Sequence, residues 1–142
     1  MAVGQLRPSN TGSEVCNLAA TKWLMDCVTN HPKCRTPEEE TSWLPTRLVD
    51  VGSPWNNSAP RLVISSDLNF GHIKPLYTCL SHRWSDGNVL KLLASNIDTL
   101  KREIPLEGLS PTFRDALQVT RKLGARYLWI DSLCILQDSL ED

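Results

Sequence analysis

No run of apolar residues in this 142-residue chain approaches the length needed to cross a bilayer. The opening residues, Met1-Ala2-Val3-Gly4-Gln5-Leu6-Arg7-Pro8, have no hydrophobic core followed by a small-residue cleavage site. Together these absences point to an intracellular, cytoplasmic protein with no membrane role. Positive charge is not in surplus either. Fifteen Lys and Arg stand against sixteen Asp and Glu, a formal net charge of -1, so the electrostatic footprint of a nucleic-acid or anionic-membrane binder is missing. Tyrosine and phenylalanine are scarce, two of each, whereas tryptophan occurs five times. Trp normally buries its ring and satisfies its N–H, so most of these are expected in the core or at its edge. The five cysteines are odd in number and lack the spacing of a secreted disulfide scaffold, which fits reduced thiols. There is no internal repeat and no low-complexity tract. What remains is an ordinary globular composition, 41% hydrophobic and 22% charged, enough for one domain with a sizeable core.

After a polar leader, residues 14–28 suit a helix, with Val15, Leu18, Ala19, Trp23, Met25 and Cys27 recurring at roughly helical spacing. His31-Pro32 ends it, because the residue before proline avoids the helical region. Residues 35–42 read as a polar loop. Arg47-Leu48-Val49-Asp50-Val51 and Arg61-Leu62-Val63-Ile64 are short strands, joined by about ten residues as a long-looped hairpin. Tyr77-Thr78-Cys79-Leu80-Ser81 is a compact candidate for a buried strand. Residues 90–104 are helical in part, with Leu92, Leu93, Ile97, Leu100 and Ile104 on one face, or else Asn96 caps a helix that starts at Ile97.

The best-marked helix spans residues 111–123. Ser110 stands at the N-cap, and Pro111 at the first helical position, where its missing N–H costs nothing. Arg121 and Lys122 lie near the negative end of the helix, and Gly124 stands where a left-handed cap is needed. Arg126-Tyr127-Leu128-Trp129-Ile130 follows, apolar after its first residue, as in a central parallel strand covered on both faces. Strand, helices and strand form a crossover, the mark of an α/β layer structure.

In parallel α/β sheets, ligands bind beyond the carboxyl ends of the strands. Two polar clusters fall there, Ser81-His82-Arg83-Trp84 and Asp131-Ser132-Leu133-Cys134. Parallel strands bring them to one edge, where an imidazole, a guanidinium, a hydroxyl and a carboxylate converge. The plainer alternative is that Asp131 caps the following turn and Ser81 only ends its strand. Cys134 is a nucleophile if His82 serves as its base, or an inert buried thiol if the apolar context Leu133-Cys134-Ile135 decides. Cys16, Cys27, His31 and Cys34 offer four soft ligands, the number a structural zinc takes. The alternative there is a packing helix followed by an ordinary loop, with no metal.

Residues 77–138 resemble the heterokaryon-incompatibility (HET) domain family of fungi. Leu80-Ser81-His82-Arg83-Trp84-Ser85 is similar to the family's Leu-Ser-Tyr-x-Trp-Gly block, with His82 and Ser85 as departures. Leu128, Trp129, Ile130, Asp131, Cys134, Ile135 and Gln137 match the block Leu-Trp-Ile-Asp-x-x-Cys-Ile-x-Gln without departure. Trp23-Leu24, Cys27, His31 and Cys34, then Leu44-Pro45-Thr46-Arg47-Leu48, resemble the leader that precedes the domain in large fungal proteins. The resemblance implies residues 1–43 as a helical leader and 44–142 as a HET domain. It implies a TIR-like, flavodoxin-like parallel sheet with flanking helices. It implies a signalling and interaction role in non-self recognition and programmed cell death. Ser81, His82, Arg83, Trp84, Trp129, Asp131, Cys134 and Gln137 are then the cleft candidates. Protein partners are expected, either a second copy or a full-length relative. No resident cofactor is expected. By the TIR relationship NAD is a candidate substrate, cleaved with a glutamate's help. The family's next block, Glu-x-x-x-Met-x-x-Ile-Tyr, has no counterpart before Asp142. The chain is therefore expected to be a truncated domain, with its last strand short of a cover or a neighbour. An inactive fragment or decoy that binds a full-length relative is the further alternative.

Overall fold

The computed structural model describes residues 10–34, 43–53, 58–70, 75–84 and 89–142. It divides into two compact units, Met1–Glu40 and Thr41–Asp142.

The first unit holds helix α1, Glu14–Asn30, and a short turn, Pro32–Cys34. Ser13 caps the helix by accepting the Cys16 amide, and the His31 amide still reaches the Cys27 carbonyl at 3.1 Å before the proline ends the helix. The expected helix is present, but the packed face read from its apolar residues is not. No residue of α1 is buried, and Trp23, Leu18 and Met25 are all exposed. Those residues are scattered around the helix and do not form a single stripe.

The second unit is an α/β layer structure. Its strands are β1 (Arg47–Asp50), β2 (Arg61–Ile64), β3 (Tyr77–Cys79) and β4 (Tyr127–Trp129), in the order β2-β1-β4-β3. The hairpin expected for the first two strands is there, antiparallel with Leu48 opposite Val63 and Val49 opposite Leu62. β4 pairs antiparallel with β1 and parallel with β3. The sheet is thus mixed, and the parallel pairing expected for its core is confined to β3 and β4. Only the β3–β4 pair is joined by the helical crossover that parallel pairing needs.

Two further expectations are corrected here. β3 is a half-exposed edge strand with Cys79 at the surface, not a buried one. β4 has a neighbour on each side, so the strand expected to lack cover or a neighbour is in fact interior. A run of alternating Tyr, Thr, Cys and Leu does not distinguish an edge from a centre.

The helices are α2 (Ile97–Arg102), α3 (Pro111–Lys122) and the single-turn α4 (Asp131–Cys134). Asn96 immediately precedes α2, but its side chain does not cap the helix; its Oδ1 accepts the Leu93 amide at 2.9 Å. α3 is built as its sequence indicates. Ser110 Oγ accepts the Phe113 amide at 3.2 Å. At the other end Gly124, with φ +78°, donates to Arg121 O while Ala125 donates to Thr120 O, the paired bonds of a Schellman cap.

Strand register puts Leu62, Val49, Leu128 and Thr78 in one row across the sheet. Against that face pack Leu100 of α2 and Phe113 and Leu117 of α3, with Leu109, Ile104 and Leu133. Thr78 and Thr120 hydroxyls meet at 2.7 Å, tying the edge strand to α3. The other face carries Leu48, Val63 and Tyr127, covered in part by Leu68 and Phe70, the latter edge-on to Tyr127. Of the described tryptophans, Trp129 is half-buried at the edge of the core, as expected, whereas Trp23, Trp43 and Trp84 are exposed, which corrects the placement expected for them; Trp55 lies outside the described residues.

The ends of β1 and β4 are held by a buried acid. Asp50 accepts from Arg126 Nε and Nη2 at 3.0 and 2.9 Å and from the Gly52 amide at 3.0 Å. Burial pushes its carboxyl up. The Arg126 hydrogen bonds, the Gly52 amide and the charges of Arg126 and Arg61 outweigh that, and hold it below the ordinary carboxylate value. A carboxylate depressed by folding adds stability above its unfolded value and loses it as pH falls through the folded value. Unfolding titrations should therefore show stability falling below about pH 4. Asp50→Asn should be less stable at neutral pH and show a flatter acid limb. An unchanged acid limb would contradict this role for Asp50.

Candidate functional site

The parallel pairing of β3 and β4 sets the site. Tyr77 is opposite Tyr127 and Cys79 opposite Trp129, and the Leu80 amide donates to Trp129 O at 2.9 Å. The two chains therefore leave the sheet side by side. Residues 81–84 and 131–134 meet at the same edge, although 47 positions separate Trp84 from Asp131.

There Trp84 Nε1 donates to Asp131 Oδ2 at 2.6 Å. Asp131 Oδ1 accepts the amide of Ser132 at 2.7 Å and lies 3.8 Å from His82 Nδ1. That last distance is too long for a hydrogen bond but close enough for an ion pair with a protonated ring. His82 is held by rings. Phe113 of α3 meets it edge-on at 5.0 Å, and Trp84 lies near-parallel at 6.4 Å. Above Trp84, Lys91 Nζ stands 5.3 Å from the ring centre, a cation–π distance.

A strap of irregular chain fixes this rim from outside. Leu92 donates to Ser132 O at 2.8 Å, Gln137 donates back to Leu92 O at 3.0 Å, and Asp138 accepts the Ala94 amide at 3.1 Å. Gln137 Nε2 reaches Asp131 O at 3.2 Å. Asp131 thus does cap its own turn, and it also binds Trp84.

The rim also contains unmet polar capacity. His82 is only 10% exposed at its side chain, and neither ring nitrogen has a hydrogen-bond partner. Ser132 is fully buried, and its Oγ has none. Among the described residues these are the buried side-chain polar atoms without partners. Leaving such a group unpaired costs about 1–3 kcal/mol.

The remaining sequence candidates divide. Ser81 and Arg83 are exposed at the rim. Ser85 lies outside the described residues. Trp129 and Cys134 do not join His82. Cys134 is buried, and with Trp129, Tyr77, Cys79 and Arg47 it lines a separate cleft of about 340 Å³. There Arg47 donates to Cys134 O at 3.0 Å and pairs with Asp142 through both terminal nitrogens, at 2.7 and 2.6 Å. That pairing, more than anything else, holds the Asp142 carboxyl below its ordinary value.

Burial pushes the Cys134 thiol up to about 12, against smaller opposing effects from the Ile130 amide and Arg47. A thiol this far above neutral pH is not a nucleophile. Its burial and raised thiol favour the inert alternative read from its apolar neighbours over a His82–Cys134 dyad. A thiol reagent at neutral pH should label exposed Cys79 in the folded protein and Cys134 only after denaturation. Equal labelling rates would contradict the buried placement.

In the first unit, three of the four zinc candidates come together, Cys27, His31 and Cys34. The neighbouring Cys34 thiol, then burial, raises the Cys27 thiol. Cys16 lies three helical turns earlier, about 16 Å along the axis, and is not part of the group.

Ser132 stood in the strand-exit cluster read from the sequence, whereas Lys91 and Phe113 belong to the rim without having been singled out for it. Ser132 stands at an open position of its block, and neither Phe113 nor Lys91 carries a local signal for the rim.

An α/β domain with a polar rim where two parallel strands end is the class this geometry defines. Residues 77–142, a little under half of the chain, match the family model described as Heterokaryon incompatibility protein (HET). The match begins at the first residue of β3 and takes in every residue of the rim. No curated protein and no solved structure matches the chain. Among the described residues no helix is long and apolar enough to cross a membrane.

Proposed function

We propose that this chain acts as an interaction and signalling module in fungal non-self recognition, and that its rim at His82, Trp84 and Asp131 is the surface through which it works. The observation that carries this reading is the cluster of unpartnered buried polar atoms, His82 Nδ1, His82 Nε2 and Ser132 Oγ, inside the stretch that matches the HET family. A rim held rigid by Trp84–Asp131 and left unsatisfied on one side is built to receive a group from a partner.

The reading takes the rim as a binding surface and not as a reacting centre. Cys134, the nucleophile candidate, is held in its thiol form and faces another cleft. The partner is a protein, a second copy or a full-length relative, in the cytoplasm. The outer edge of β3 supports this, because an edge strand offers unpaired backbone groups to an incoming strand. The β3–α2–α3–β4 crossover is the part we assign to a TIR-like, flavodoxin-like core; this rests on fold analogy. The outcome we assign to activation is growth arrest or cell death.

The test is induced expression in a fungal host. The chain should slow or stop growth, and Trp84→Ala, which removes the ring and its bond to Asp131, should restore it at equal protein level. Normal growth with the unaltered chain would contradict the reading.

A further inference from the structure

Three metal-binding groups meet at the end of α1, outside the residues that match the HET family. Cys27 and His31 are four positions apart, and so project from the same side of the helix. His31 leaves the helix in an extended conformation, φ -97° and ψ 111°, while its amide still holds the Cys27 carbonyl. Pro32 then starts the short turn Pro32–Cys34, in which the Cys34 amide bonds His31 O at 2.9 Å. The turn folds Cys34 back over the end of the helix. As a result one atom from each side chain, two sulfurs and a ring nitrogen, lies within 4.8 Å of the others.

That spacing is close to what a metal requires. Zinc takes thiolate at about 2.3 Å and imidazole at about 2.0 Å, which places tetrahedral ligand atoms about 3.5–3.8 Å apart. Small side-chain rotations span the difference, and the exposure of His31 and Cys34 leaves them free to make them. The position also suits a cation. α1 has no basic residue in its last turn, where its last carbonyls carry partial negative charge; the nearest cation, Lys33, stands in the turn that follows. Two thiols and an imidazole form a soft-to-borderline donor set, which selects zinc over calcium or magnesium.

We propose that Cys27, His31 and Cys34 bind one zinc ion per chain, pinning the turn Pro32–Cys34 to the end of α1, with the fourth coordination position open to solvent or to a ligand from a partner. Cys16 takes no part. The site stands in a unit whose helix buries no residue of its own, so a metal cross-link supplies order that packing does not.

The test uses the full chain, purified under reducing conditions without chelator. Zinc content by native mass spectrometry and elemental analysis should approach one ion per chain for the wild type and for Cys16→Ser. It should be lost in Cys27→Ser and in Cys34→Ser. Since none of these side chains is buried, the variants should keep the helical circular dichroism of the parent. Cobalt added to metal-free protein should give thiolate-to-metal charge-transfer absorption, absent in the Cys27 and Cys34 variants. Three results would overturn the proposal: no bound zinc and no cobalt spectrum, metal retained in both variants, or a Cys27–Cys34 disulfide in place of metal under reductant.

Discussion

Phe113→Ala is expected to cost about 3–5 kcal/mol of folding stability, the usual range for emptying a buried aromatic site. Phe113 is 1% exposed and sits where α3 crosses the sheet, among Leu117, Leu109 and Leu128. It also forms the floor against which His82 rests edge-on. A domain of this size has a total stability of only about 5–15 kcal/mol, so the loss takes a large share of it. For about 100 residues each kcal/mol moves the thermal midpoint by about 4–8 °C. A melting curve should therefore shift down by about 12 °C or more. Phe113→Leu keeps most of the volume and should recover most of that shift. A change of under about 4 °C for the alanine variant would mean that α3 does not pack on the sheet as described.

Asp131→Ala should do the opposite, removing function while leaving the fold. Its side chain is one-third exposed, so it is not part of the apolar core. The variant loses the acceptor for Trp84 Nε1, the acceptor for the Ser132 amide and the charge facing His82. Part of that loss is made good by water, and the cost in stability should stay near 1–2 kcal/mol. Trp84 then has nothing to hold its ring in place, and the rim loses its shape. In the fungal host, growth arrest should disappear while the protein remains folded and present at the parental level. Arrest at the parental strength would show that the rim is not the working surface. Loss of soluble protein together with arrest would show that Asp131 is structural.

Much of this was legible in sequence because it is local. Ser110-Pro111 and Gly124 fix the ends of α3 through bonds within a few residues, and the structure reproduces them. The strand exits at Ser81 and Asp131 were legible for the same reason, since both follow short apolar runs. That they meet required β3 and β4 to be parallel neighbours, which the helical crossover between them favours.

What was not legible depends on partners distant in the chain. The hairpin of β1 and β2 was legible, but the antiparallel pairing of β1 with β4 was not, because an apolar run does not mark its partner. Nor does the composition of β3 reveal that it lies at an edge. Trp129 and Cys134 share a motif with Asp131, yet strand alternation and the turn of α4 send them to another cleft. Cys16 shares a helix with Cys27, and only the rise per residue shows that they cannot share an ion.

The meeting of Trp84 and Asp131 is the centre of the account, and nuclear magnetic resonance of the tryptophan indole N–H groups tests it most directly. The Trp84 signal, assigned by its disappearance in Trp84→Phe, should lie downfield as expected for a short bond to a carboxylate, and Asp131→Asn should move it more than any other indole signal. A Trp84 indole signal that exchanges freely with solvent and does not respond to Asp131→Asn would contradict the site.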